Sequence, residues 1–333
     1  MLSTLTKSPG MLWGLAVRGA SAARLIEDNA AKALAAPHDW AWLHFALSDH
    51  RARRFIEGFD TAPAAARALL LSGETRPQLH LSPGCAYGVI PDFEKDFDER
   101  SIEPGSIAFW LDARHLFTTR HHPMRVVDEV REEMQAAPAA APADVFVRLN
   151  ERYVEIAEKR FAVLARWLDR LEDRVLADRG ELDRATLGPV RREIARFHRE
   201  FAALRAAYHR AMTATGKGGE RGDRGDNPVA RHLPELLQTA DDFDRDATSL
   251  AERARLLSEE MDTRIAAATN RSLQTLTIIS TLLLPPTFIV GAFGMNLPAI
   301  PWAQGAGGFW WAVGLCVAVV GASWALLKRY EIL

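Results

Sequence analysis

Apolar and polar residues are distributed unevenly along this chain, and the C-terminal part carries the clearest pattern. No Asp, Glu, Lys or Arg occurs from residue 272 to residue 327. In an average protein about a quarter of such a stretch would be charged, so it cannot form the surface of a soluble domain. Two apolar segments, Leu273–Phe293 and Phe309–Leu327, are each long enough to cross a bilayer as a helix. The Gly- and Pro-rich stretch between them predicts a turn, and together they predict a helical hairpin in a membrane.

Two buried core helices of a large globular domain would be the alternative, but no amphipathic partner segments flank this hairpin. The basic residues near its ends indicate its orientation. Arg264 and Arg271 precede the first span, Lys328 and Arg329 follow the second, and the connecting loop has no basic residue. Basic residues favour the cytoplasmic side, so we expect a protein of the cytoplasmic (inner) membrane with both termini in the cytoplasm.

The N-terminal region, residues 1 to about 135, mixes short β-like runs with helical ones and therefore predicts an α/β domain. The predicted strands are Leu12–Val17, Trp40–Leu47, Ile107–Trp110 and Leu116–Thr119, and the predicted helices are Ala62–Leu71 and Met124–Met134. We interpret the extreme N-terminus as part of this domain, because Arg18 interrupts an apolar run already too short for a signal sequence, and a basic presequence is the alternative. The stretch Gln135–Ala143 reads as an Ala/Pro linker, with Asp144 as the N-cap of the next helix.

Beyond the linker the pattern changes to long helices. Apolar residues recur at spacings of three and four, as in coiled coils, at Phe161, Leu164, Leu168, Leu171 and Val175, and again at Phe243, Ala247, Leu250, Ala254, Leu257 and Met261. The second run has no helix breaker between Pro234 and Pro285, which predicts one continuous helix of about 60 residues entering the membrane. A charged, Gly-rich segment, Thr213–Pro228, predicts a loop between two long helices. We interpret its two RGD triplets as part of a flexible cytoplasmic loop and not as an adhesion motif.

The sequence thus divides into seven regions. They are an α/β domain (1–135), a linker (136–143), a long-helix stalk (144–271) with its loop (213–228), a first transmembrane helix (272–294), an outer loop (294–308), a second transmembrane helix (309–327) and a cytoplasmic tail (328–333).

Composition excludes several classes of protein. The formal net charge is −2, whereas a general nucleic-acid binder would carry a clear basic excess, so no nucleic-acid partner is expected. Two cysteines, Cys85 and Cys316, are too few for a disulfide scaffold or a four-cysteine zinc site.

No catalytic motif is present. The sequence contains no P-loop, no GxSxG, no HExxH and no paired CxxC, so we predict neither an enzyme nor a resident cofactor. His121 and His122 are adjacent and would point to opposite faces of a strand. His80 and Cys85 lie near each other in what reads as a Pro- and Gly-flanked loop. For both pairs we favour surface or packing roles over metal binding.

The first membrane helix carries a polar stripe. Its members fall at spacings of three and four, and they are Asn270, Leu273, Thr277, Ser280, Leu284, Thr287 and Gly291. Polar groups in a membrane are kept from lipid, so this stripe faces water or protein, and the pattern alone leaves both open. The adjacent Pro285 and Pro286 free backbone carbonyl groups in the middle of the membrane.

The helix ends in Gly294-Met295-Asn296. A Gly-Met-Asn triplet after LTIISTLLLPPTFIVGAF and before a second terminal span resembles the CorA superfamily of divalent-cation transporters. The resemblance covers the whole chain in the family's order of domains. The stretches DWAWLHFALSDHRARRFIE and IAFWLDARHLFTTRHHPMRVVDEV look like its zinc-transporter, ZntB-like, branch.

The resemblance implies a funnel-shaped homopentamer in a lipid bilayer, with five copies of the first span lining a pore for hydrated divalent cations. By position it places Gly294, Met295 and Asn296 at an outer selectivity filter. The remaining positions that it implies are Thr287 and Gly291 below the filter, apolar constrictions at Leu284, Leu276 and Leu273, and a polar ring at Asn270 near the cytoplasmic mouth. The stripe members Thr277 and Ser280 complete the predicted pore lining.

The resemblance also bears on the transported ion. The magnesium branch carries acidic residues after its Gly-Met-Asn triplet, whereas the loop here reads LPAIPWAQGAGG. This difference favours zinc uptake, with magnesium, cobalt or nickel as the alternative. The filter contains no Cys, His or carboxylate, so it holds no fixed metal ligand that could itself select zinc. The zinc branch is thought to use the proton gradient, which makes the proton a second ion to test. A non-conducting, membrane-anchored coiled-coil scaffold or sensor is the alternative from another class.

Overall fold

The computed structural model of the chain describes residues 10–19, 21–26, 34, 38–95, 103–177, 184–217, 227–295 and 307–329. It forms two compact units, Met1–Arg255 and Leu256–Leu333. In the described residues the strands are β1 (Met11–Arg18), β2 (Ser21–Ile26), β3 (Trp40–Ala46), β4 (Gln78–Ser82), β5 (Cys85–Phe93), β6 (Pro104–Leu111) and β7 (His115–Arg120). The helices are α1 (His50–Glu57), α2 (Ala64–Ser72), α3 (Arg125–Ala136), α4 (Pro142–Leu176), α5 (Arg184–Lys217), α6 (Leu233–Gly294) and α7 (Gly308–Arg329). All four predicted strands and both predicted helices of the N-terminal region are confirmed within a few residues.

The strands of the first unit form one mixed sheet in the order β2-β1-β3-β7-β6-β5-β4. The β3–β7 pair is parallel and the other neighbours are antiparallel. One face packs against α1 and α2, where Phe45 and Phe117 meet Phe55 at ring-centroid distances of 5.5 and 6.2 Å. The α/β interpretation of the N-terminal region is therefore confirmed.

The opposite face of the sheet packs against the first long helix. Phe109 of β6 lies 4.7 Å, between ring centroids, from Phe146 of α4, and Phe93 of β5 stacks on Tyr153 at 4.8 Å. Because side chains alternate along a strand, Phe109 points to α4 while its neighbour Trp110 joins the core beneath α1 and α2. The sheet is thus buried on both faces, which explains why its strands read as nearly continuous apolar runs.

The β4–β5 hairpin corrects one prediction. His80 lies within β4 and Cys85 begins β5, so the two are not in a common loop. His80 pairs across the strands with Tyr87, and its ring stacks on that side chain at 5.0 Å. The turn consists of Pro83 and Gly84 alone, and Gly84 adopts a φ of 70° that a side chain would disfavour. Cys85 is buried, and burial raises the pKa of its thiol.

The end of β5 positions the third helix. Asp92 is buried, and its carboxylate accepts hydrogen bonds from the backbone N–H groups of Phe93 (2.6 Å), Val126 (2.8 Å) and Val127 (3.2 Å). Two of these donors belong to the first turn of α3, whose N–H groups have no partner within the helix. Asp92 therefore joins the sheet to the start of α3.

His121 and His122 lie in bends just before α3. They are not in a strand, which is where the sequence analysis had considered them.

A network of ion pairs joins α3 to α4. Arg148 of α4 donates from Nε to Glu133 of α3 (2.7 Å) and from Nη1 to Glu155 (2.6 Å). Arg152 extends the network by donating to Glu129 (2.7 Å) and to Glu155 (2.7 Å). The charges are partly buried and each is shared between two partners, which makes this network more stabilising than isolated surface pairs.

The start of α4 differs from the prediction. The connection between α3 and α4 is Ala137–Ala141, and Ala141, not Asp144, is the N-cap. Asp144 lies in the first turn, where its carboxylate accepts a hydrogen bond from the backbone N–H of Ala141 (3.0 Å). The helix begins earlier than expected because Pro142 occupies its first position, where the missing N–H costs nothing.

The long helices α4, α5 and α6 confirm the predicted apolar stripes. Leu164, Leu168, Leu171 and Val175 are buried on α4, as are Phe243, Ala247, Leu250, Ala254, Leu257 and Met261 on α6, whereas Phe161 is half-buried. Arg160 of α4 pairs with Glu193 of α5 (2.8 Å from Nη2). Helix α5 continues to Lys217, so the first residues of the predicted loop at 213–228 are helical. Residues 218–226 of that loop lie outside the described part of the chain.

Asn227 connects the far edge of the sheet to the segment that leads into α6. Its Nδ2 donates to the carbonyl oxygens of Ser82 and Cys85, both at 2.8 Å, and its Oδ1 accepts from the backbone N–H of Val229 (3.0 Å). One side chain thus satisfies two carbonyl groups at the β4–β5 turn.

The second unit contains the end of α6 together with α7. Helix α6 runs for 62 residues without interruption and includes Pro285 and Pro286, which confirms the predicted continuous helix. Both α6 and α7 contain stretches long and apolar enough to cross a membrane. The predicted outer loop, apart from residues 294, 295, 307 and 308, lies outside the described residues, as does the tail beyond residue 329.

Candidate functional site

The residues predicted to line a pore lie together on one side of α6. Asn270, Leu273, Leu276, Thr277, Ser280, Leu284, Thr287, Gly291 and Gly294 are all in this helix, and all are exposed within the single chain. Leu284 is 70% exposed and Leu276 is 60% exposed. Met295 follows the helix end and is exposed, whereas Asn296 lies outside the described residues. The stripe is therefore a continuous surface that the described residues of its own chain leave uncovered.

Helix α7 packs on the other side of α6. The residues of α7 that lose solvent exposure recur at spacings of three and four, and they are Gly308, Ala312, Cys316, Val319, Ser323 and Leu327. Their side chains are mostly small, which lets two helices approach closely in a membrane. The thiol of Cys316 lies 3.9 Å from the carbonyl oxygen of Pro286, which shows that this seam contacts α6.

The matching face of α6 is apolar. Its half-buried residues are Ile278, Leu282, Pro285, Pro286, Ile289, Ala292 and Phe293. At about 100° per residue this face lies roughly opposite the polar stripe. The hairpin therefore uses an apolar face for its internal contact and leaves the polar face for something else. Helix packing against α7 is thus not the reason for the polar stripe.

The threonines of the stripe present oxygen atoms. The hydroxyl of Thr277 donates to the carbonyl oxygen of Leu273 (2.8 Å), and that of Thr287 donates to the carbonyl oxygen of Leu283 (2.7 Å). Because the hydroxyl hydrogen is used within the helix, the oxygen keeps its lone pairs for water or a cation. These hydroxyl oxygens can accept hydrogen bonds from the water molecules that surround a cation, and the cation keeps its water shell.

The proline pair adds backbone oxygens. Pro285 and Pro286 have no N–H group, so neither can donate the usual helical hydrogen bond to the carbonyl groups of Thr281 and Leu282. Leu282 is half-buried on the α7 side, whereas Thr281 is exposed. Thr281 was not included in the predicted stripe, although it follows Thr277 by four residues and precedes Leu284 by three, so the same spacing rule could have found it.

Dipoles and not formal charges determine the electrostatics of this surface. No titratable Asp, Glu, Lys, Arg or His occurs from residue 272 to residue 327. Within the described residues no group of three or more His, Cys, Asp or Glu side chains is placed to hold a metal ion. The available ligands are hydroxyl and carbonyl oxygens, which are hard donors suited to a cation that retains its water shell.

Comparisons with known proteins agree with this architecture. Residues 37–329 match the CorA family, described as CorA-like Mg²⁺ transporter protein. The chain is 26% identical to the divalent cation transporter CmaX of Pseudomonas aeruginosa over 96% of each chain. It is 22% identical to the zinc transport protein ZntB of Yersinia enterocolitica over 88% of each. The solved structure of full-length CmaX has the same fold, with a TM-score of 0.76 and 24% identity, covering 97% of this chain and 98% of that one.

Proposed function

This chain belongs to the CorA-like Mg²⁺ transporter family, and on that premise we propose that it takes up zinc through a homopentameric pore lined by α6. As a member of this family the chain is a divalent-cation transporter, and it has two candidate membrane-spanning helices at its C-terminal end.

The uncovered polar stripe of α6 is the main support for the proposal that this helix lines a pore. A single hairpin in lipid would expose Thr277, Ser280 and Thr287 to hydrocarbon, which is unfavourable for polar groups. Five copies arranged around an axis would turn the same stripe toward a common channel, while α7 remains on the outside, facing lipid. The exposed aromatic residues Phe309, Trp310 and Trp311 at the start of α7 suit such a position near the membrane surface.

Within this pore the proposal assigns distinct roles along the axis. Gly294, Met295 and Asn296 form the outer filter, where amide and carbonyl oxygens hydrogen-bond to the water shell of the cation. Leu284, Leu276 and Leu273 form apolar rings that can close the channel by excluding water. Asn270 supplies a polar ring at the cytoplasmic mouth.

The filter assignment is tested by Asn296→Ala in the full-length protein reconstituted into liposomes. We expect this variant to keep the pentamer and to lose cation flux, because one amide per subunit is removed from the entrance. Gln304→Ala is the matched control, since it removes an amide from the outer loop outside the triplet. Wild-type flux through the Asn296→Ala variant would disprove the filter.

The sequence of the outer loop favours zinc. It contains no acidic residue, so it cannot concentrate a divalent cation by a fixed ring of negative charge. The membrane potential still contributes about 2.3 kcal/mol per elementary charge per 100 mV. A metal that is scarce outside would benefit from a further driving force, and an inward proton gradient would supply one.

Magnesium is the second candidate, and the description of the family favours it. Flux of Zn²⁺ and Mg²⁺ through the purified protein, measured at fixed voltage with and without an inward proton gradient, separates the two. Zinc uptake accelerated by the gradient would support the proposal in full. Zinc flux indifferent to the gradient would remove the proton coupling, and magnesium flux far above zinc flux would remove the zinc assignment.

A further inference from the structure

The hydroxyl groups of α6 between residues 272 and 293 divide into two kinds. Ser272, Thr275, Thr277 and Thr287 each donate to the carbonyl oxygen four residues earlier, at 2.7 to 3.1 Å. Ser280 and Thr281 make no such bond, and within the described residues their hydroxyl groups have no hydrogen-bond partner. Both are exposed. The two hydroxyls that remain available are therefore adjacent and lie in the middle of the apolar segment.

A backbone oxygen lies beside them. The carbonyl group of Thr281 receives no helical hydrogen bond from Pro285, because proline has no N–H. Thr281 thus offers a hydroxyl and a carbonyl oxygen that both lack the usual helical partner. The carbonyl of Pro286, in contrast, is approached by the thiol of Cys316 on the face covered by α7. The Thr281 residue, which carries the unbonded hydroxyl, is exposed on the side that α7 leaves open.

Unpartnered polar groups are too costly to leave in hydrocarbon, so these oxygens must meet water, a cation or another protein helix. Position along the helix favours the first two. Leu284 lies one turn toward the outer end and Leu276 one turn toward the cytoplasm, and both are exposed on the same side. A polar step between two apolar rings is where a cation crossing the channel would need its hydration most.

We propose that Ser280 and Thr281 form a second oxygen site for the transported divalent cation, in the middle of the membrane and separate from the Gly-Met-Asn filter. The site rests on the proposed pore, in which five copies bring the hydroxyl and carbonyl oxygens around one axis. It lies about 20 Å below Gly294 at 1.5 Å per residue. Its oxygens hydrogen-bond to the water shell of the cation and replace contacts that bulk water provides elsewhere.

The first test is flux in liposomes of whichever of Zn²⁺ and Mg²⁺ the unsubstituted protein conducts. The double variant Ser280→Ala, Thr281→Val keeps side-chain size and removes both hydroxyls. We expect its flux to fall about tenfold or more, the effect of losing two hydrogen bonds per subunit to the water shell of the cation. Thr281→Ser keeps a hydroxyl and should conduct within about twofold of the unsubstituted protein. Thr275→Val is the matched control, because that hydroxyl is bonded within the helix and lies on another face.

The second test distinguishes a water-filled site from contact between helices. In a chain with Cys85→Ala and Cys316→Ala, the substitution Thr281→Cys should react with a positively charged, water-soluble thiol reagent, whereas Thr275→Cys should not. Failure of the Thr281→Cys chain to react would overturn the site, as would unchanged flux in the double variant or loss of its pentamer. An unsubstituted protein that conducts no divalent cation would instead refute the proposed function, and the thiol test would still decide whether Thr281 faces water.

Discussion

The thiol of Cys316 lies 3.9 Å from the carbonyl oxygen of Pro286, and this contact identifies the face of α6 that the last helix covers. Because Pro286 belongs to the apolar face, the polar stripe with Thr277 and Thr287 remains open on the other side. The sequence left two uses for that stripe, namely contact with another helix and contact with water. Within the described residues the hairpin itself does not use the stripe, which favours contacts beyond this chain.

The small residues of α7 should be intolerant of larger ones. Ala312→Leu inserts three carbon atoms where α7 meets α6, and we expect a loss of about 1–3 kcal/mol from overpacking. Val313→Leu is the control. Val313 is 39% exposed, so this substitution enlarges a side chain that lies away from the contact between α7 and α6. Thermal unfolding of the detergent-solubilised protein measures both. Equal melting temperatures for the two variants would contradict the seam.

The orientation of the hairpin can be tested from the outer loop. A cysteine introduced as Gln304→Cys, in a chain with Cys85→Ala and Cys316→Ala, should react in intact cells with a thiol reagent that cannot cross membranes. The reason is the basic residues, including Arg271 and Lys328, that favour the cytoplasm at both helix ends. Labelling that required broken membranes would reverse the orientation.

The β4–β5 hairpin depends on a missing side chain. A Cβ at Gly88 would lie 2.1 Å from the carbonyl oxygen of Gln78 on the adjacent strand, so the two backbones would have to separate. We therefore expect Gly88→Ala to destabilise the protein by about 3 kcal/mol or more, at the upper end of overpacking effects. Gly19→Ala, which meets no atom within 4 Å but has a φ of 62°, controls for backbone strain alone. Urea unfolding followed by tryptophan fluorescence would compare the free energies of unfolding of the two variants. A smaller loss for Gly88→Ala than for Gly19→Ala would contradict the prediction.

Asp92 should make stability depend on pH near neutrality. Burial raises the pKa of Asp92 from 3.8 to about 7, against the opposing effect of its three backbone N–H donors. The folded protein therefore binds more protons than the unfolded chain between about pH 4 and 7, and this contribution to stability falls as pH rises through that range. We expect Asp92→Asn, which cannot ionise, to lack the decline and to differ from the wild type by a pH-dependent few kcal/mol. Melting temperatures at pH 5 and pH 8 provide the measurement, and parallel curves would argue against the shift.

The α3–α4 ion-pair network should be worth more than a surface pair. Arg148→Ala removes the cation that contacts both Glu133 and Glu155 most closely and leaves them Arg152, at 3.9 and 2.7 Å. We therefore expect a loss of about 1–3 kcal/mol that shrinks in high salt. Arg245→Ala is the control, because its pairs with Asp241 and Asp242 are more exposed and lie within one helix. Chemical unfolding at two salt concentrations measures both, and equal losses would refute a special role for the network.

Local physics made the membrane hairpin and the long helices predictable. The absence of charge from residue 272 to 327 has few explanations other than lipid, and a three-and-four apolar spacing sustained from Phe243 to Met261 is specific to a packed helix. The strands Trp40–Ala46 and His115–Arg120 were visible for a similar reason, since both are short apolar runs bounded by turn residues.

Elements that depend on distant contacts were not predictable in the same way. Strand β5 contains Gly88 and Pro91, which ordinarily argue against a strand, and only pairing with β4 and β6 explains them. The N-cap assigned to Asp144 was wrong because Pro142 starts the helix earlier. On α6, periodicity indicated a stripe but not its edges, so Thr281 was missed. Asn296, the central residue of the predicted filter, stays a prediction.

The bonds of Asn227 bear on the order in which the protein can fold during synthesis. Its amide reaches Ser82 and Cys85 across 145 and 142 residues of chain. A ribosome must therefore complete the sheet, α4 and α5 before this corner of the first unit can be closed. Contacts of such long separation form late and slowly compared with local ones. The carbonyl groups of Ser82 and Cys85 can therefore receive these two bonds only after residue 227 has been synthesised, although β4 and β5 can pair earlier through their own short turn.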